Sequence, residues 1–139
     1  MGNRGLSALL IGIAALAMVT AAPVKADPSG TWLTASGDTK VKIFPCSSSY
    51  CGTIVWQQTP TNDTKNPDPT KRERPLVGVQ MISGLKPSGE NQYSGKLYNP
   101  EDGKTYTGKV ILQSPSRMKL SGCVLGGLIC KGQTWTKSN

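Results

Sequence analysis

Four cysteines stand in two close pairs, Cys46 with Cys51 and Cys123 with Cys130, and each pair interrupts a stretch of period-two patterning. In KVKIFPCSSSYCGTIVW, Lys40 to Trp56, Val41 and Ile43 oppose Lys40, Lys42 and Phe44 before the first cysteine. After the second, Thr53 and Val55 oppose Ile54 and Trp56. Alternation on both sides of a short Ser/Tyr segment predicts a β-hairpin with a cysteine on each arm. The design returns near the C-terminus, where Cys123 and Cys130 bracket VLGGLI. Two such hairpins with more strand pattern between them point to a closed antiparallel sheet.

Four cysteines allow three connectivities. Local pairing, Cys46–Cys51 and Cys123–Cys130, fits hairpin geometry best, because facing strand positions bring Cβ atoms within bonding range. Closing such short loops contributes about 2 kcal/mol each on the chain-entropy model. Tetrathiolate zinc is the rival reading. It is disfavoured because the chain has no histidine and because structural zinc sites use tighter cysteine spacings than these.

Disulfides belong in an oxidising compartment, and the N-terminus agrees. Arg4 precedes an apolar run from Leu6 to Val19, and Val24-Lys25-Ala26 ends in small residues suited to cleavage. The run is shorter than the roughly 20 residues needed to span a bilayer. Residues 1–26 therefore read as a signal peptide cleaved after Ala26, and residues 27–139 as one domain, periplasmic or secreted, with no stable membrane span after processing. Loss of Arg4 and Lys25 takes the formal net charge from +8 to +6. An exported basic chain meets no nucleic acid. Its expected anionic partners are envelope components such as lipid head groups or acidic glycans, or a carboxylate ligand. The cluster Lys71-Arg72-Glu73-Arg74 is broken by an acid and reads as a solvated loop.

Strand pattern recurs along the chain: Gly30 to Leu33, the two arms of the first hairpin, Leu76 to Ser83, Tyr93 to Tyr98, Lys104 to Gln113, and the two arms of the last hairpin as far as Trp135. Turns are expected at Gly37-Asp38, Pro87-Ser88-Gly89, Asn99 to Gly103 and Ser114 to Ser116. Between Thr59 and Pro75, TPTNDTKNPDPTKRERP has no apolar periodicity, and a loop of that length is usually functional or mobile. Eight short strands joined mainly by hairpins favour an all-β, eight-stranded antiparallel up-and-down barrel, with an open sandwich as runner-up. A strand-interior glycine recurs about once per strand, as barrel curvature requires.

The missing histidine removes the Ser-His-Asp and Cys-His arrangements, and oxidised cysteines remove a thiolate nucleophile. Only loop carboxylates remain, Asp63, Asp68, Glu101 and Asp102, and acids in turn-rich loops usually form turns or solubilise. A carboxylate-dependent hydrolase is thus a third reading, with no catalytic residue assigned and no metal or cofactor expected. The oxygen-rich run from Asn62 to Asp68 has Lys65 in its midst, which opposes a cation. The aromatic residues are either barrel core and rim or the lining of a cavity mouth. Arg72 or Arg74 either meets a ligand anion or braces Asp63 or Asp68 within the loop.

Gly30-Thr31-Trp32 resembles the Gly-x-Trp opening of lipocalins and related barrels. A wider set of blocks is similar to the bacterial domain-of-unknown-function 2147 family. These are Cys51-Gly52-x-Ile54-Val55-Trp56, Asp63-x-Lys65-Asn66-Pro67-Asp68, Arg72 with Pro75-Leu76-Val77-Gly78, Gly95-Lys96-x-Tyr98 through Tyr106, and Gln133-Thr134-Trp135-Thr136. The resemblance implies a lipocalin-like barrel, export, and a proposed role in binding small hydrophobic ligands. Two departures stand out. Cys123 and Cys130 add a clasp where the family has a shorter Gly-rich turn, and Thr53 occupies a position that is often basic.

The leading expectation is a lipocalin-like protein binding a small apolar or amphipathic ligand. The candidate binding residues are Trp32, Trp56, Asp63, Asn66, Arg72, Tyr98, Tyr106 and Trp135. The alternative is an envelope interaction or structural protein with a filled barrel, using a basic surface or the 59–75 loop. The two separate by whether the inward positions, taken as Val55, Val79, Val110 and Leu120, leave a void.

Overall fold

The structure, a computed structural model, describes Gly2, residues 11–17 and residues 27–138. The leader expected over residues 1–26 lies mostly outside the described residues. Each strand pairs with the next in sequence, and the last returns to the first. In order they are β1 (Gly30–Leu33), β2 (Thr39–Cys46), β3 (Ser49–Gln57), β4 (Gln80–Gly89), β5 (Gln92–Asn99), β6 (Lys104–Ser114), β7 (Arg117–Val124) and β8 (Ile129–Ser138). All pairings are antiparallel, including the β1–β8 seam, where Trp32 faces Lys137. The chain is a closed eight-stranded antiparallel barrel, the fold class that its patterning predicts.

Alternation sets which side chains fill the barrel, since successive residues of a strand point to opposite faces. Val41 and Ile43 of β2, Val110 and Leu112 of β6, and Met118 and Leu120 of β7 are buried, while Lys42, Ile111 and Lys119 between them are exposed. The end of the barrel where the chain enters β1 is closed around a tryptophan. There Trp32 is fully buried, its Nε1–H donates to the Pro28 carbonyl at 2.9 Å, and Lys137 Nζ lies 4.8 Å from the centre of its ring. Tyr50 and Tyr93 meet edge to face at the same end, with centroids 5.9 Å apart.

Both expected disulfides are present. Cys123 and Cys130 face each other directly across β7–β8, with Cα atoms 4.1 Å apart. Cys46–Cys51 is diagonal: Cys46 faces Ser49 and Cys51 faces Phe44, with Cα atoms 5.8 Å apart.

Three sequence expectations are corrected. β4 begins at Gln80, not Leu76, because Leu76–Val79 is a turn closed by Val79 N–H donating to the Leu76 carbonyl at 2.9 Å, with Gly78 at φ +100°. That turn, rather than alternation, puts both Leu76 and Val79 inside. The β4–β5 turn lies at Glu90-Asn91, immediately beyond Pro87–Gly89, and Asn91 takes the left-handed φ of +53° that asparagine tolerates. Val55, expected inside, points out. The β2–β3 register slips between Lys40 and Val41, so that Lys40 pairs with Trp56 and Val41 with Ile54, leaving Val55 as the extra residue of a bulge. Trp56 is turned to the outer face with it, 40% exposed, under the ammonium of Lys40.

Candidate functional site

The end of the barrel opposite Trp32 is open. A cavity of about 610 Å³ enters there, between the β1–β2, β5–β6 and β7–β8 connections. Its floor is apolar, formed by Ile54, Leu97, Leu120 and Trp135, inward positions of β3, β5, β7 and β8. Gly108 and Gly122 face each other across β6–β7 at this level and withhold side chains from the interior. A Cβ built at Gly122 would meet only ordinary contacts, 3.5 Å from Tyr106 and 3.6 Å from Leu97, so the missing side chain leaves open space. The Trp135 indole donates to Gln133 Oε1 at 3.0 Å, so its polar edge is satisfied within the wall.

Polar groups gather at the rim. Asp38, Glu101, Asp102 and Lys131 line it, three carboxylates against one ammonium. Hydrogen bonds from the Ser36 hydroxyl at 2.6 Å and the Thr39 hydroxyl at 3.0 Å hold the Asp38 carboxyl below the usual aspartate range. Burial pushes Asp102 up, but the Tyr106 hydroxyl, the Lys104 backbone N–H and the Lys104 charge outweigh it, and its pKa is also lowered. Both are therefore anionic at neutral pH, and Tyr106, donating to Asp102, has its own pKa raised. The rim is acidic on a chain whose overall charge is basic.

Tyr98, also on the cavity wall, leads to a second cluster behind it. Asp63 is 1% exposed, in the middle of the long loop. Its Oδ1 accepts from the Tyr98 hydroxyl at 2.5 Å, and its Oδ2 accepts from Asn66 Nδ2 at 2.8 Å and Arg74 Nε at 2.9 Å, with Arg74 Nη2 also at 2.9 Å. Burial pushes the carboxyl up, but these donors and the Arg74 charge more than offset it, so Asp63 titrates below its ordinary value. Burial and the bond to Asp63 push Tyr98 up to about 12. Arg72 Nε donates to the Asn66 carbonyl at 2.8 Å. Both arginines thus brace the loop.

The loop is correspondingly ordered. Asn62 bridges Pro75, Asp63 N–H donates to the Arg74 carbonyl at 2.9 Å, and Asp68 caps a 3₁₀ turn at Pro69–Lys71 by accepting from Thr70 N–H. Its far side rests on the β5–β6 turn at Gly103, which has φ +71° and where a Cβ would collide with the Lys65 carbonyl.

Of the eight candidate binding residues, Tyr98, Tyr106 and Trp135 line the cavity. Trp32 belongs to the closed end, Trp56 to the outer face, and Asp63, Asn66 and Arg72 to the cluster behind Tyr98. Sequence reasoning missed the rim residues Ser36, Asp38, Gln57, Lys131 and Gln133, and weighed Glu101 and Asp102 as turn formers or hydrolytic carboxylates rather than as rim residues. Ser36 and Asp38 sit on a loop, Gln57 and Lys131 near strand ends and Gln133 within β8, polar positions that no apolar periodicity marks. Among the described residues no group of three His, Cys, Asp or Glu converges to hold a metal.

The family model described as "Uncharacterized protein conserved in bacteria (DUF2147)" matches residues 30–137. Among solved structures the chain is similar to protein HP1028 from the human pathogen Helicobacter pylori, a protein described as belonging to the lipocalin family. The TM-score is 0.73 at 25% identity, over 81% of this chain and 84% of that one. No curated protein matches the chain.

Proposed function

The chain belongs to the DUF2147 family of bacterial proteins, and we propose that it is an exported carrier that binds one small amphipathic molecule in the open half of its barrel. The observation that carries this reading is the cavity itself, with an apolar floor of Ile54, Leu97, Leu120 and Trp135 under a charged rim. Its volume of about 610 Å³ falls within the range of roughly 300–1,000 Å³ usual for small-molecule sites. Export is supported by the two disulfides and by the leader-like residues 1–26.

The rim refines the ligand class. Three carboxylates, two of them held ionised, repel an anionic head group and attract an amine or a donor-rich neutral one. Arg72 and Arg74, the groups suited to a carboxylate, are turned inward on Asn66 and Asp63. The ligand is therefore an apolar body with a cationic or hydroxyl-rich end, not a fatty acid.

The test is native mass spectrometry of the protein from its host under mild conditions, followed by titration of the Trp135 region by fluorescence with a decylamine and decanoate pair. Saturable binding of the amine, at least about tenfold tighter than the acid, supports the reading. Gly122→Leu, which projects a side chain into the cavity, should abolish that binding while leaving the β-sheet circular dichroism intact. Absence of any adduct together with no response to either probe would overturn it.

A further inference from the structure

We propose that the tip of the β7–β8 hairpin is a docking element for the surface of an anionic phospholipid bilayer. Four consecutive apolar side chains, apart from two glycines, crown that hairpin. Val124, Leu125, Leu128 and Ile129 are 42%, 69%, 86% and 58% exposed. Other exposed apolar residues of the barrel, such as Val55, Val77 and Ile111, reach only about the exposure of Val124, whereas these side chains cluster at one tip, and an exposed apolar cluster marks an interaction site.

The backbone holds them out. Leu125, Gly126 and Gly127 take left-handed φ values of +53°, +67° and +93° in succession. For leucine that conformation is uncommon and carries strain, and such strain at a surface tip is a pointer to function. Directly beneath, Cys123–Cys130 ties the arms together, so the tip is a fixed finger rather than a frayed turn.

Charge selects the occupant. From Gly103 to the C-terminus the chain has six basic residues and no acid. Lys109 Nζ donates to the Gly127 carbonyl at 3.4 Å, Lys131 follows Ile129 by two residues, and Lys119 lies over Gly132 on the outer wall. Lysines flanking an apolar insertion match a surface of anionic head groups over acyl chains. The acids that share the cavity rim with Lys131 are Asp38, Glu101 and Asp102; Asp38 is engaged by Ser36 and Thr39, and Asp102 by Tyr106 and the Lys104 backbone N–H. No helix among the described residues is long and apolar enough to cross a membrane; the finger rests on the bilayer, beside the cavity mouth that Lys131 helps to line.

The experiment is flotation with vesicles of phosphatidylglycerol and phosphatidylcholine, compared with phosphatidylcholine alone, at low and physiological salt. Binding should favour the anionic vesicles by about tenfold or more and weaken as salt screens the lysines. Leu125→Asn/Leu128→Asn should reduce it by about tenfold or more, because two insertions are lost. Both positions are exposed and asparagine accepts the left-handed backbone at 125, so the variant folds; unchanged circular dichroism and an unchanged oxidised mass check this. Its amine titration in the cavity should be unaltered, which separates this proposal from the carrier reading. No flotation at low salt, equal flotation on both vesicle types, or full binding by the double variant would each overturn it.

Discussion

The Tyr98 hydroxyl donates to Asp63 Oδ1 across 2.5 Å, joining residues 35 positions apart and pinning the 59–75 loop to the wall of the cavity. The bond joins the long loop to the ligand site, although no atom of Asp63 lines the cavity.

Removing that hydroxyl tests the pin. Tyr98→Phe keeps the ring on the cavity wall and withdraws one of the donors from a buried carboxylate. The loss should cost about 1–3 kcal/mol in denaturant unfolding. Amide exchange in residues 61–75 should accelerate more than exchange in β6 and β7. Uniform acceleration would mean that the loop has no separate anchor here.

Acid should release the same loop. The folded-state pKa of Asp63 lies below its unfolded value, so its contribution is complete above the ordinary aspartate range. It is lost as pH falls below about 4, through the folded value. Asp63→Asn should be less stable at neutral pH and show a flatter decline between about pH 5 and 2. Tyr98 works in the opposite direction: with its pKa raised to about 12, its contribution is complete below about 10 and disappears as pH rises through 12. Thermal melts across pH on the wild type and both variants check the two signs.

Gly103→Ala should be among the most damaging single-methyl changes in the chain. The residue sits at φ +71° and its missing Cβ would strike the Lys65 carbonyl. Backbone strain and the collision together should cost more than about 2 kcal/mol. The damage should appear in both the β5–β6 turn and the long loop, as read from backbone chemical shifts.

Two tryptophans should behave oppositely. Trp56→Ala removes an exposed ring and its contact with Lys40, which should cost about 1 kcal/mol or less and leave ligand titrations unchanged. Trp135→Ala removes a buried ring from the cavity floor and should cost about 3–5 kcal/mol. A loss of binding in the Trp56 variant would return that residue to the ligand site.

The strands, their order and both disulfides could be read from the sequence because each leaves a local mark: period two, a turn residue, or a cysteine on each arm of a hairpin. Trp56 could not be placed, because the bulge at Val55 inverts the faces without any change in composition. Asp63 looked like one more acid in a polar loop; its burial depends on Tyr98, and nothing in the loop's own pattern announces so distant a partner. The alternative roles weighed for Arg72 and Arg74 were resolved by contact, both bracing the loop. The acidic rim escaped notice because Asp38 and Asp102 meet only once the sheet closes.

That closure has a kinetic consequence. Seven of the eight strand pairs join neighbours in sequence, six over short turns and β3–β4 across residues 58–79, whereas the β1–β8 seam joins the two ends of the domain. There Lys137 Nζ donates to the Ser29 carbonyl, 108 residues earlier. Loop-closure entropy rises only slowly with length, about 0.6 kcal/mol per doubling, yet contacts of high sequence separation slow folding. A chain emerging from its N-terminus presents β1 first and β8 last, so β1 has one unpaired edge until synthesis is complete. The cavity does not exist before that final zipper, and a fragment ending before Ile129 would be an open sheet with two sticky borders.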